Sequence, residues 1–295
     1  MVGLMPRGPS AWVLNLDAEH ELRTSDAHTP SARTMQRMPD WLHALTPLLG
    51  PGDVVLGEDD TLTEPRWGRA WCPTAWALRR LVKAGATPVV APDMTVLRRV
   101  NHRRFNAEIG QILPGARFVT TIEELAAVIA GESPSGQWLL KRPFGFAGRG
   151  RRRVAHGLLD PSAATWVDAS LRAGDGLQVE PWVERTADYA LHGFLSQSGV
   201  LTVGEATRQT CDDAGAWQGT ALAADLEPRE AESLLAATRR AAEALRGAGY
   251  FGPFGVDAYR WRAGATIHFN SRGEINARYS MGWATGMQRC RVDLA

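Results

Sequence analysis

The stretch Lys141-Arg-Pro-Phe-Gly145-Phe-Ala-Gly148-Arg-Gly150 sets a cation at the end of a short apolar run and follows it with three glycines. Glycines let backbone amides approach an anion closely, successive N–H groups can form a nest for phosphate oxygens, and a lysine adds a mobile point charge. The stretch reads as a lid over phosphates, with a flexible hairpin turn as the plain alternative. It is not a Walker loop, because no G-x-x-x-x-G-K-[ST] is present, and not a dinucleotide fingerprint, because no helix follows the glycines. Lys141 stands out in a second way: it and Lys83 are the only lysines among 33 basic residues. The neighbouring Arg149, Arg151, Arg152 and Arg153 read as a solvated edge or a nucleic-acid patch, and the lack of aromatic residues between them disfavours a stacking platform.

A second constellation is acidic. Glu274 and Asn276, in Gly273-Glu-Ile-Asn276-Ala-Arg278, are two apart, so on an extended segment both project to one face. Asp257, in Gly255-Val-Asp257, can complete an all-oxygen set from a neighbouring strand. Oxygen ligands suit a hard cation, and Mg²⁺ that shares its shell with nucleotide phosphates needs only two or three of them. Arg278 lies two further along the same face if the strand continues.

These residues need a scaffold of two kinds. Short apolar runs (Trp12 to Leu16, Asp53 to Leu56, Pro88 to Ala91) alternate with helical stretches (Thr34 to Leu49, Pro73 to Ala84), the rhythm of a parallel sheet with covering helices. The pattern then changes. Arg98 to Leu113 is basic and helical, Thr121-Ile-Glu-Glu124 is a capping box opening a helix to Ala130, and Trp138 to Pro143 is a short strand. Further strands are expected near 177–183, 190–195, 201–204, 255–261 and 266–269, with a long helix from Pro228 to Gly247 that carries an apolar stripe of Leu234, Leu235, Ala241 and Leu245. Helices on an antiparallel sheet describe this second region.

Composition removes several roles. At 295 residues with 44% hydrophobic and 22% charged, the chain has enough material for two or three cores and no apolar run of bilayer length. With no secretory-type leader at Met1 to Ser10, a cytoplasmic location is expected. Cys72, Cys211 and Cys290 are widely spaced and read as thiols, neither a disulfide framework nor a zinc site. A net charge of +1 gives no global field for nucleic acid. The isolated His156, His192 and His268 read as structural or exposed, and the 11 tryptophans as packing residues.

The order of motifs from Asn101 to Met287 resembles that of ATP-grasp enzymes, which mostly join a carboxylate to an amine, thiol or similar nucleophile through an acyl-phosphate. The resemblance implies an α/β chain of α+β lobes: an N-terminal Rossmann-like pre-ATP-grasp domain at 1–97, a central lobe at 98–184 and a C-terminal lobe at 185–295. Asn101-His-Arg103 resembles the family's first basic nucleotide contact, with Arg103 where lysine is usual. Lys141 resembles the second, and Gly145, Gly148 and Gly150 the loop that closes over the phosphates. Val179-Glu180-Pro-Trp182-Val183 resembles the adenine-reading hinge, and Asp188 the ribose-binding acid. Asp257, Glu274 and Asn276 correspond to the Mg²⁺ ligands, and Arg278 to the arginine facing the reacting group. Gly273 stands where a bulky residue often lies under adenine, so Phe269 is expected to floor the base pocket. Arg208 is expected to serve the γ-phosphate.

The implied cofactors are ATP and Mg²⁺, and the implied activity is ligation of a small-molecule or peptide carboxylate to an amine, with release of ADP and phosphate. Arg278, Arg208 and Lys141 are the expected catalytic cations, and Asp17-Ala-Glu19-His20 is one edge of the substrate cleft. An ATP-grasp kinase acting on a hydroxyl uses the same nucleotide site and remains open. So does, from another class, a nucleic-acid-binding protein built on Arg149 to Arg153. The sequence favours neither a membrane nor a nucleic-acid partner and leaves a homodimer open.

Overall fold

The computed structural model describes residues 8–24, 45–110, 112–145, 149–211 and 217–294. Three sheets carry it. The first holds four parallel strands in the order β2-β1-β3-β4: β1 (Ser10–Val13), β2 (Val54–Val55), β3 (Arg66–Ala70) and β4 (Ala86–Pro88). Helix α1 (Ala18–Thr24) follows β1, and α2 (Ala75–Lys83) connects β3 to β4, the crossover that parallel pairing requires. The strand Arg66–Ala70 was not expected, because its alternation is carried by arginine. Its Arg69 is buried and donates to Ser10 Oγ at 3.0 Å. Of the helix expected over Thr34 to Leu49, residues 34–44 lie outside the described residues and Thr46–Leu48 form a single 3₁₀ turn.

The helix expected over Arg98 to Leu113 is instead two: α3 (Met94–Asn101) and α4 (Arg103–Glu108). His102 breaks the run by taking an extended conformation, and its side chain caps α4 by accepting from the Arg104 amide at 3.1 Å. That break aims Arg103 and its two neighbours in different directions.

The central sheet is antiparallel, in the order β5-β8-β6-β7: β5 (Arg117–Val119), β6 (Gln137–Lys141), β7 (Arg151–Ala155) and β8 (Leu177–Pro181). The expected capping box opens α5 (Ile122–Ile129), and α6 (Pro161–Arg172) lies beside it. Together they bury Leu125, Trp138, Leu140 and Val167. The Arg149 to Arg153 cluster turns out to be mostly strand β7. Arg153 stacks 3.7 Å over the Trp182 ring, and Arg152 donates to Ser162 and lies 6.0 Å from the Trp166 ring, so two of its cations are drawn into the lobe's own packing.

The third sheet runs β12-β11-β9-β13-β14, with β10 on β9: β9 (Glu184–Leu195), β10 (Leu201–Val203), β11 (Thr207–Cys211), β12 (Trp217–Leu222), β13 (Gly252–Ala263) and β14 (Thr266–Asn276). Helix α7 (Pro228–Gly247) matches the expected span and buries Leu234, Ala241 and Leu245 against one face. At roughly 2 kcal/mol per buried leucine, that stripe fixes which face of the sheet stays open. A single core joins this lobe to the first, running from Trp12 and Leu97 to Phe254 and Trp283.

Candidate functional site

Lys141 ends β6, and the ten-residue stretch that it opens is the hairpin connection from β6 to β7, closed where the Arg142 amide donates to the Gly150 carbonyl at 2.8 Å. A side chain at Gly145 would bring a Cβ within 2.6 Å of the Arg149 carbonyl oxygen, so only glycine fits that bend. Gly148 lies outside the described residues. Leu139 pairs with Glu180 across β6 and β8, which puts Lys141 and Glu180 on one face, and the two form a buried ion pair. Burial pushes the Lys141 ammonium below the usual lysine range, against the opposing pull of Glu180.

The oxygen constellation assembles as the spacing predicts. In the β13–β14 ladder Asp257 stands directly opposite Glu274, and Gly255 opposite Asn276. The Asn276 amide donates to Asp257 Oδ2 at 3.0 Å. Burial first, and then the Glu274 charge, push the Asp257 carboxyl up to about 7. Burial also pushes Glu274 up, but the cations of Arg103, Lys141, Arg278 and Arg185 outweigh it and hold that carboxyl below its ordinary value. Among the described residues no three of His, Cys, Asp and Glu cluster as a metal cage. The donor set here is two facing carboxylates and a carboxamide, and the like charges that raise Asp257 are what a hard divalent cation would neutralise.

Arg103 joins the two halves. From the first turn of α4 its guanidinium donates to Glu274 Oε1 at 2.8 Å, to the Gly145 carbonyl at 3.4 Å and to the Arg142 carbonyl. Three residues that sequence reasoning missed or undervalued hold it there. Asn101 accepts from the Ala277 amide at 3.0 Å, between Asn276 and Arg278. Asn106 donates to the Gly273 carbonyl at 3.0 Å, and Arg272 donates back to Asn106 Oδ1 at 2.7 Å. Of these three, only Asn101 figured in the sequence reading, beside Arg103.

Arg278 leaves the strand and meets the first lobe. Its Nε donates to Glu19 Oε1 at 2.7 Å and its Nη1 to the Tyr279 carbonyl at 2.9 Å. The expected substrate edge at Asp17 to His20 and the expected catalytic arginine are therefore in contact, although 259 residues separate Glu19 from Arg278. Asp188 shares the cleft face, opposite Tyr259 on β13, and pairs with Arg185 at 3.1 Å.

Two assignments are corrected by register and a third by hydrogen bonding. Arg208 lies opposite Tyr189, whereas Thr207 and Gln209 lie opposite Ala190 and Asp188. Alternation therefore turns Arg208 to the helix-covered face, where it pairs with Asp225 at 2.8 Å. Phe269 pairs with Arg260 and packs edge-on against Tyr189 on that same rear face, so it does not floor a pocket on the cleft side. The space vacated at Gly273 is filled by Tyr259, whose ring would stand 2.7 Å from a Cβ there. Trp182 has its amide bonded to the Gln137 carbonyl and its carbonyl to Ser135, so neither group is offered to a base, while Val183 is buried beside Tyr259.

No protein-family profile and no curated protein matches this chain. Solved structures do. Biotin carboxylase from Campylobacter jejuni, in a complex with an ATP species, superposes with a TM-score of 0.57 at 11% identity, over 95% of this chain and 68% of that one. N5-carboxyaminoimidazole synthetase from Staphylococcus aureus, complexed with ADP, gives 0.53 at 10% identity over 94% and 72%. D-alanyl-alanine synthetase A from Vibrio cholerae gives 0.52 at 12% identity over 91% and 88%.

Proposed function

We propose that this chain, which has the ATP-grasp fold, is an ATP-dependent ligase that joins a carboxylate to an amine or related nucleophile through an acyl-phosphate, releasing ADP and phosphate. The observation that carries the reading is Arg103, whose guanidinium touches both the glycine hairpin and Glu274. A phosphate chain lying between those elements would exchange one set of charge-assisted hydrogen bonds for another. In the same reading the chain divides at 97/98 and 184/185, with ATP between the central and C-terminal lobes, and the enzyme works in the cytoplasm.

Lys141, Arg103 and the amides of Gly145 to Gly150 contact the phosphates. Glu180, Val183 and Asp188 face the nucleoside. Asp257, Glu274 and Asn276 would hold Mg²⁺, which when bound supplies charge neutralisation to the phosphates. Arg278, held by Glu19, lies at the edge of the cleft nearest the first lobe and neutralises charge on the group being transferred. Closure of the hairpin keeps water from the acyl-phosphate, and the nucleophile then displaces phosphate at the acyl carbon.

A screen of carboxylates and amines for stimulated ADP release with Mg²⁺, followed by mass spectrometry, tests this. A condensed product formed with one ADP per bond is expected. A stable phosphorylated hydroxyl compound would make the enzyme a kinase and overturn the ligase assignment.

A further inference from the structure

A second cavity lies on the other side of α4 from Glu274. Arg103 turns to the hairpin and Glu274, while its two chain neighbours, His102 and Arg104, line this cavity of about 470 Å³. Its other walls come from the end of α1 (Leu22, Arg23), from α3 (Arg98, Arg99) and from the turn before β8 (Gly174, Asp175). The volume lies within the range of small-molecule sites, roughly 300–1,000 Å³.

Its charge is unbalanced. Four guanidinium groups line it against two carboxylates, Glu108 and Asp175. Asp175 is already shared with Arg23 at 3.8 Å, and among the described residues Arg98, Arg99 and Arg104 make no ion pair. Arg98 is the stronger sign. Its Nε and Nη2 are shielded from solvent and have no hydrogen-bond partner. Leaving buried guanidinium donors without an acceptor is costly, so such a group is normally matched by an anion. His102 adds no charge, since burial holds its imidazole at about 4. The remaining wall is apolar, from Leu22, Phe105 and Phe144.

We infer that this cavity binds a phosphate monoester of a small organic molecule, its phosphate on Arg98 with Arg23, Arg99 and Arg104, and its organic part against Leu22, Phe105 and Phe144. Guanidinium forks match phosphate oxygens in geometry, and the apolar wall leaves room that a bare ion does not fill. The ligand would touch the first lobe, α3–α4 and the central lobe at once, and Phe144 directly precedes the glycine hairpin. The inference goes beyond the ligase reading and does not depend on it.

The test is calorimetric titration of the full chain with glycerol 3-phosphate and, separately, inorganic phosphate, at constant ionic strength. The unsubstituted protein and Lys141→Met, which removes the nucleotide-side cation, should bind glycerol 3-phosphate alike. Arg98→Gln should weaken binding by about tenfold or more. Arg104→Ala, at an exposed position where the guanidinium also lies 5.0 Å from the Phe118 ring, should weaken it as well. Inorganic phosphate should bind more weakly than the ester. Equal affinities in the unsubstituted, Arg98→Gln and Arg104→Ala proteins would overturn the inference. So would loss confined to Lys141→Met, no saturable binding at all, or inorganic phosphate binding as tightly as the ester.

Discussion

The two faces of the C-terminal sheet carry similar residues and treat them in opposite ways. On the rear face, under α7, Asp225 receives Arg208 at 2.8 Å and the Tyr189 hydroxyl at 2.8 Å, and Glu230 receives Arg260 Nε at 2.8 Å. Burial pushes Asp225 up, yet Tyr189 and Arg208 hold it below its ordinary value, and the Arg260 bond does the same for Glu230. On the cleft face, Asp257 and Glu274 stand opposite each other, and Asp257 is driven up to about 7. Among the described residues, each of these rear-face carboxylates has its own cation, whereas on the cleft face Arg103 pairs with Glu274 alone and Asp257 has only the Asn276 amide, the difference that the proposed Mg²⁺ site rests on.

That contrast can be broken or sharpened by substitution. The largest effect is expected on the cleft face: Lys141→Met or Glu274→Gln should lower ATP turnover per folded molecule by about 10²-fold or more, as removal of a single preorganised charge does elsewhere, and Lys141→Met should also lower the thermal midpoint because it strands the buried Glu180. Next comes His192, which is buried opposite Gly255 and which burial alone pushes down to about 4. The folded state then takes up its proton later than the unfolded state, so stability is intact above about 6.5 and falls as pH drops from there towards 4. The loss should be on the order of 3 kcal/mol by denaturant titration, and His192→Gln should flatten the profile across that window. On the rear face, Arg260→Ala should destabilise by about 2 kcal/mol, because it strands Glu230, while turnover per folded molecule stays unchanged. The smallest effect belongs to Arg208→Ala. Its ion pair is half exposed, so both stability (within about 1 kcal/mol) and turnover should stay close to those of the unsubstituted protein. A hundredfold loss of turnover there would return Arg208 to the phosphates.

What was legible in the sequence followed from period and local chemistry. The two-residue spacing of Glu274 and Asn276 placed both on one face, and the capping box and Pro228 fixed their helices, since each depends on neighbours in the chain. What was not legible depended on register and partners far away. Arg208 faced the wrong way because its face is set by pairing with Tyr189, which a single segment does not encode. The strand of Arg66–Ala70 was hidden because Arg69, though buried, is a polar residue by type. Phe269, five residues before Glu274, falls on the opposite face by alternation alone, so that expectation could have been rejected from the sequence, whereas the placing of Tyr259 at Gly273 depends on the irregular pairing between Asn270 and Glu274. The break at His102 was missed because basic residues on both sides continue the helical pattern.

The central claim is that the Lys141 hairpin and the Asp257, Glu274 and Asn276 face hold one nucleotide between them. Its most direct test is ADP affinity measured by calorimetry with and without Mg²⁺ in three proteins. The unsubstituted chain should bind more tightly with Mg²⁺, Asn276→Ala should lose that gain while keeping its metal-free affinity, and Lys141→Met should bind weakly in both conditions. An undiminished Mg²⁺ gain in Asn276→Ala, or unchanged affinity in Lys141→Met, would contradict the account.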